Sequence, residues 1–364
     1  MATYFDPLKL GDLRFANRVW MPPMTRSRAT AGGVPVPLMA EYYRQRATAG
    51  LIISEGTYIN DESCAFDRAP GIFTDEQVEM WKQVTAAVHD AGGLIFCQLW
   101  HCGRIGTLGL LGGREPLSPS GVNDDLSQID IWGLLANGNY VKLAATPSRA
   151  MTIDDIERTI ADYARAAANA RRAGFDGVEI HAANGYLPHQ FLSPTLNVRE
   201  DRYGGSQENR ARFVIEAFEA IAAEYPKTQI GIRVSPFATY NNTRDPDPTS
   251  TYSDLARRLE VAGAGYIHAA DQNGWFGKSE LDPMLELLRP NFSGVIVANG
   301  AITVEKGVSL LESGIAQAIT FGRPFIANPD LVERISQGAE IAEPRPTGWY
   351  VTGADGYTDY PTIG

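Results

Sequence analysis

With 364 residues, 44% of them hydrophobic and 21% charged, the chain has the composition of an ordinary globular protein, not of a disordered, collagenous or disulfide-stapled one. A net charge of −11 with no run of Lys and Arg argues against a nucleic-acid or anionic-membrane partner, since both need concentrated positive charge. With three cysteines, Cys64, Cys97 and Cys102, no long unbroken apolar run and no leader-like pattern over Met1 to Arg18, the expectation is a cytoplasmic protein without a disulfide framework or a membrane span.

Short β-branched apolar runs alternate with amphipathic stretches along nearly the whole chain, which predicts a repeated βα unit. Strands are expected at 18–21, 51–55, 94–100, 177–182, 230–234, 266–270, 295–298 and 318–321. Helix starts are marked by Thr74 with Gln77 and by Thr152 with Asp155, each pair ahead of an apolar periodicity. Gly92, Gly174 and Gly314 follow helical patterns, where a left-handed residue turns the chain toward a strand.

Eight strand–helix units can form an open doubly wound sheet or a closed barrel. No GxGxxG follows the first strand, so the fold class expected is α/β, a TIM (β/α)8 barrel forming one domain over 1–364. One connection, 103–151, is far longer than an ordinary βα loop and reads as a capping insertion after the third strand. Within it, 129–135 and 140–143 flank Asn137-Gly138, a hairpin signal.

In such a barrel the chemistry sits at the C-terminal ends of the strands. Those ends carry Thr25, Gln98, His181, Asn184 and Arg233, which therefore converge on one mouth. Asn299-Gly300 and Gly322-Arg323 follow the seventh and eighth strands, the common place for a phosphate held by backbone N–H groups and helix N-termini, although both glycines could simply turn the chain. Arg233 lies in an apolar strand and needs an anionic or hydrogen-bonding partner. His181 and Asn184 could both donate to one substrate oxygen, and Tyr186 could deliver a proton. The competing account is a structural histidine beside a turn-forming Asn-Gly, with Glu179, two residues away along the strand, as its partner. Neither a glycosidase carboxylate pair nor a GxSxG elbow stands out.

Five motifs carry a resemblance. They are Met21-Pro-Pro-Met-Thr-Arg26, Gln98-Leu-Trp-His101, His181-Ala-Ala-Asn-Gly-Tyr186, the stretch from Arg199 through Asp201-Arg-Tyr-Gly-Gly205 to Glu208-Asn-Arg210, and Phe321-Gly-Arg323 with Asn328-Pro-Asp330. In this order the chain resembles the old yellow enzyme family, in its ordinary rather than its thermophilic-like branch, because Thr25 stands where the latter has cysteine. The resemblance implies noncovalent FMN across the barrel mouth, with NADPH or NADH as hydride donor. It implies reduction of the activated C=C bond of α,β-unsaturated carbonyl or nitro compounds, by hydride from flavin N5 and a proton from Tyr186. Pro23, Met24, Thr25, Gly56, Gln98, His181 and Arg233 would hold the isoalloxazine, and Gly300, Gly322 and Arg323 the phosphate. His181 and Asn184 would grip the substrate oxygen. Trp100, Phe66, Trp275 and Tyr357 would line the pocket, Phe66 standing where many bacterial members have tyrosine. Enones, enals, maleimides, nitroalkenes and nitrate esters are the implied substrates. Pro188-His189 and the cap match no known preference, and monomer and homodimer stay open.

The rival of another class is a metal-dependent aldolase or isomerase on the same barrel, in which His181, Glu179 and His101 would hold a divalent cation. The family reading implies no metal. A flavin-binding scaffold without activity would leave His181, Asn184 and Tyr186 together without a purpose, and the iron–sulfur relatives would need a cysteine cluster absent from this sequence.

Overall fold

The computed structural model describes residues 3–350 and 353–363. Eight parallel strands form the barrel: β1 (Val19–Trp20), β2 (Ile52–Ile53), β3 (Ile95–Trp100), β4 (Gly177–Ala182), β5 (Ile230–Val234), β6 (Tyr266–Ala270), β7 (Val295–Asn299) and β8 (Ala318–Thr320). Each of β2 to β7 pairs with its successor, β8 pairs with β1, and a bridge from Met21 to Ile52 closes the ring. All eight coincide with the apolar runs of the sequence, shifted by two residues at most at either end. Among the described residues no helix is long and apolar enough to cross a membrane.

The helices start where their sequences supply a cap. Thr74 accepts from Gln77 N while the Gln77 side chain accepts from Thr74 N, which fixes the first turn of the helix Asp75–Asp90. Thr152 and Asp155 do the same for Ile153–Arg172. Gly92 and Gly174, at φ of 80° and 88°, turn the chain into β3 and β4.

Side chains of a strand alternate between faces, and the alternation sorts these strands cleanly. Cys97, Leu99, Val178, Ile180, Ile232, Ile267, Ile296 and Ile319 belong to the outer core under the helices. Their neighbours point into the barrel. Near its base these are apolar, Trp20, Phe96, Tyr266 and Val297, in a second cluster closed from below by Phe15. Phe15 comes from a hairpin, Leu8–Leu10 with Leu13–Phe15, that the sequence reading did not foresee; its ring lies 4.8 Å from Trp20 and 6.4 Å from Phe96. Higher up, the inward positions become polar: Gln98, Glu179, Arg233, His268 and Asn299, all buried.

The segment 103–151 covers one side of the mouth. Its base is tied by a parallel pair, Leu117–Ser118 with Arg149–Ala150. Farther along, Ile131–Leu134 pairs antiparallel with Tyr140–Leu143 across a turn with Gly138 at φ 85°. That hairpin docks on the loop after β2, where Trp132 N donates to Ala65 O at 3.1 Å and Asp67 N to Trp132 O at 3.0 Å.

Gly231 of β5 faces inward, and a Cβ there would lie 2.0 Å from the Tyr266 ring. The missing side chain is what lets the phenol cross the barrel interior. Gly231→Ala is therefore expected to lower stability by about 1–3 kcal/mol through overpacking, read as a fall in Tm. Gly109→Ala, beside which no atom lies within 4 Å, is the control and should leave Tm nearly unchanged.

Candidate active site

A cavity of ≈ 380 Å³ opens at the C-terminal ends of the strands. Of the residues anticipated from sequence, Pro23, Met24, Thr25, Gly56, Phe66, Gln98, Trp100, His181, Asn184, Tyr186, Arg233, Trp275, Gly322 and Arg323 line it. Two do not. Gly300 follows β7 outside the lining, where its neighbour Asn299 faces the cavity. Tyr357 was expected in the pocket but is fully buried behind it, stacked on Tyr42 at 4.0 Å with the Arg26 and Arg28 guanidinium groups over its ring. The same C-terminal segment supplies Trp349 and Tyr350 instead. Sequence reasoning also missed Trp132, on the hairpin whose docking no local pattern marks, and Asp130, Tyr240 and Gln272, which reach the cavity from the connections around the mouth.

His181 is the next-to-last residue of β4, in register with Arg233 of β5. Burial, then the Arg233 charge, His268 and His189 hold its imidazole well below the usual range, so it is neutral at working pH. Trp100 lies against it, ring centroids 6.1 Å apart, and Tyr186 packs edge-on to both at 4.9 and 4.8 Å. Burial, then Tyr240, Cys102 and Tyr350, push the Tyr186 phenol well above its usual value, so it keeps its proton. The constellation thus offers neutral donors.

Asn184 adopts φ 59°, a left-handed conformation that Asn tolerates better than most residues. Its backbone is pinned: Asn184 N donates to Ser235 Oγ at 2.8 Å, and Asn241 Nδ2 donates to Asn184 O at 3.0 Å. The next N–H, of Gly185, donates to His189 Nδ1 at 3.0 Å. His189, which the sequence left without a role, thus holds the turn that aims Asn184, on a short helix, Leu187–Leu192, with Pro188 in its first turn. Asn241 also accepts from Asp130 N at 2.9 Å, tying this turn to the segment above.

Glu179 does not partner His181. Its Oε1 accepts from Gln98 Nε2 at 2.8 Å, and its Oε2 contacts Tyr266 OH at 3.1 Å and His268 Nδ1 at 2.9 Å. His101 Nδ1 accepts from Gly103 N at 3.0 Å, and His101 lies outside the cavity lining. Of the three ligands of the metal-dependent rival, Glu179 and His101 are therefore engaged away from His181, and among the described residues no group of three His, Cys, Asp or Glu side chains is placed to hold a metal ion.

Arg233 donates to the neutral Asn299 Oδ1 at 2.7 Å, and its Nε has no partner. His181 Nδ1, Asn184 Oδ1 and Gln272 Oε1 are likewise buried and unpaired, all on residues that line the cavity. An unsatisfied buried polar group costs about 1–3 kcal/mol. These four, with Trp100 Nε1 a fifth on the same lining, fit a polar ligand that completes them. A guanidinium whose hydrogen-bonded neighbour is neutral fits an electron-rich ring edge, and Arg323 at the rim fits a phosphate.

A model of the NADH:flavin oxidoreductase / NADH oxidase family matches residues 3–341. The chain is 40% identical to flavin oxidoreductase hxnT of Emericella nidulans, covering 98% of this chain and 97% of that protein. It is 36% identical to a Leishmania infantum protein named a probable flavin mononucleotide-dependent alkene reductase, over 98% and 96% of the two. Among solved structures, morphinone reductase in complex with tetrahydroNAD superposes with a TM-score of 0.94 at 40% identity, over 100% of this chain and 98% of that one.

Four imidazoles are buried with lowered values: His101 and His189 at about 3, with His181 and His268 lowered as well, burial being the first cause for each. His101, His181 and His189 stay neutral in the fold, whereas the unfolded chain takes up their protons below about 6.5. Their contribution is full above that pH and is lost as pH falls, by about 1.4 kcal/mol per pH unit for each. Urea unfolding should show a level midpoint from pH 7 to 8.5 and a steep fall toward pH 5. A midpoint unchanged at pH 5 would mean that these side chains are already protonated in the fold.

Proposed function

The chain belongs to the NADH:flavin oxidoreductase / NADH oxidase family, the old yellow enzyme family of the sequence resemblance, and on that premise we propose that His181, Asn184 and Tyr186 are its catalytic residues. It is an FMN-dependent, NAD(P)H-using ene-reductase acting on small molecules. The observation that carries the assignment is the meeting of an unpaired His181 Nδ1, an unpaired Asn184 side chain and the proton-holding Tyr186 on one cavity lining.

Arg233 and Gln98 would face the pyrimidine edge of FMN, Thr25 its C4 carbonyl, the Pro23–Met24 and Gly56 backbone its ring, and Gly300, Gly322 and Arg323 its phosphate. Bound there, FMN supplies the hydride relay between the nicotinamide and the β-carbon of the substrate. His181 and Asn184 hold the carbonyl or nitro oxygen by two N–H donors, drawing electron density from the β-carbon. Because His181 is neutral, it polarises the oxygen without protonating it. Tyr186 releases its phenol proton to the α-carbon on the opposite face, giving net trans addition. Trp100, Phe66 and Trp275 flank the substrate, which we take to be an enone, enal, maleimide, nitroalkene or nitrate ester.

The purified protein should be yellow, bleach with NADPH or NADH under anaerobic conditions, and recover its colour with cyclohexenone; a protein that FMN cannot reconstitute would overturn the reading. In His181→Ala/Asn184→Ala, FMN should stay bound while enone kcat/KM falls by about 10²–10³. Tyr186→Phe should slow reoxidation by enone about 10²-fold or more and leave reduction by the nicotinamide unchanged. Equal losses in the two half-reactions would remove Tyr186 from the donor role.

A further inference from the structure

Below the cavity, Gln98 and Glu179 are register partners on adjacent strands, β3 and β4, both pointing into the barrel and both buried. Register partners lie about 4.8 Å apart across parallel strands, so the two side chains meet directly. A carboxylate only accepts hydrogen bonds, so the Gln98 group 2.8 Å from Glu179 Oε1 is the amide nitrogen. With its nitrogen engaged below, Gln98 has its carbonyl oxygen left for the cavity it lines. An otherwise free glutamine could turn either end toward a ligand, since the two ends differ little in shape.

Glu179 is itself fixed. Tyr266 OH and His268 Nδ1 meet its second oxygen at 3.1 and 2.9 Å, and the Tyr266 ring reaches it through the space that Gly231 leaves open. On the next strand, β5, two residues beyond Gly231, the register partner of Glu179, Arg233 offers only donors. The polar layer beneath the cavity therefore presents a defined order, an acceptor at Gln98 and donors at Arg233.

We propose that Glu179 is a positioning residue that locks Gln98 as a hydrogen-bond acceptor, so that the site reads the N3–H of a flavin pyrimidine ring beside the carbonyl oxygen facing Arg233. The inference rests on the FMN reading above and goes beyond it, because it assigns a function to a residue that touches neither cofactor nor substrate. It also separates this layer from mere packing. A ring edge with acceptor, donor and acceptor atoms in sequence is matched only while Gln98 keeps its orientation.

The test uses the whole protein reconstituted with FMN enriched in 15N at N3, whose resonance moves downfield when N3–H donates a hydrogen bond. Wild type should show the downfield position. In Glu179→Gln the Gln98 amide is free to turn; the N3 signal should move upfield and FMN should bind about tenfold more weakly, the worth of one hydrogen bond. Gln98→Ala should give the same upfield signal, and Glu179→Asp, which keeps a carboxylate, should recover part of the downfield shift. An N3 signal unchanged from wild type in FMN-loaded Glu179→Gln would overturn the proposal. So would a wild-type N3 signal at the position of FMN lacking a hydrogen-bond partner, whether or not the variant folds. A protein that takes up no FMN at all would instead fail the reading of the previous subsection, visibly and before any resonance is recorded.

Discussion

The site depends on the two-residue period of eight short strands. Closing them into a ring commits every second side chain to a narrow interior and its neighbours to the helix layer, so the same strands must serve two environments. Here the interior column changes character with height. Phe15, Trp20, Phe96, Tyr266 and Val297 fill the base with apolar volume, and Gln98, Glu179, Arg233, His268 and Asn299 stand above them. A buried polar layer is tolerable only if its members satisfy one another or a ligand. Glu179 gathers three partners, while Arg233, the register partner of His181, keeps an unpaired nitrogen. Five of the buried unpaired atoms, on Trp100, His181, Asn184, Arg233 and Gln272, belong to residues lining the cavity, where a polar ligand can complete them.

Positioning above this layer is done by backbone, not by charge. Asn184 sits in a left-handed turn whose N–H and C=O are held by Ser235 and Asn241, and whose next N–H is held by His189. With the backbone occupied, only the side chain is free to act. Burial suppresses the charge of His181 and of Tyr186 alike, from opposite directions. The lining thus offers an imidazole that stays neutral and a phenol that keeps its proton, both shielded from bulk water.

Much of this was legible in the sequence, and the failures at the site have one cause. Apolar runs, capping boxes and left-handed glycines are local signals, and they marked every barrel strand and the starts of the helices Asp75–Asp90 and Ile153–Arg172. The clustering of Thr25, Gln98, His181, Asn184 and Arg233 followed from counting strand ends. What escaped was lateral. Glu179 looked like a partner for His181 because the two alternate along one strand, but such residues are roughly 7 Å apart, farther than the about 4.8 Å between register partners on adjacent strands. Register is set by closure of the whole ring, which no single segment encodes. Tyr357 was misplaced for a similar reason: Arg26 and Arg28, more than three hundred residues earlier, draw its ring into the core by cation–π contacts and leave Trp349 and Tyr350 to face the cavity. The hairpin Leu8–Phe15 is too short to carry a periodic signal.

The outer half of the cavity is built on a different plan from the inner half. Its aromatic residues come from separate stretches: Trp132 from the segment after β3, Tyr240 from the loop after β5, and Trp349 and Tyr350 from the C-terminal strap. Tyr140 ties two of these stretches together, its ring parallel to Trp132 at 6.3 Å and to Tyr350 at 5.4 Å. Arg28 fastens the strap by donating to Trp349 O at 2.7 Å and Gly348 O at 2.6 Å. None of these elements contributes to the polar layer of the barrel. A loop that covers the mouth can therefore change its aromatic content, and with it the shape of the opening, without disturbing the strand-borne polar groups beneath. The rigid interior sets the polar groups of the site, and the borrowed rim sets the shape of the opening that leads to them.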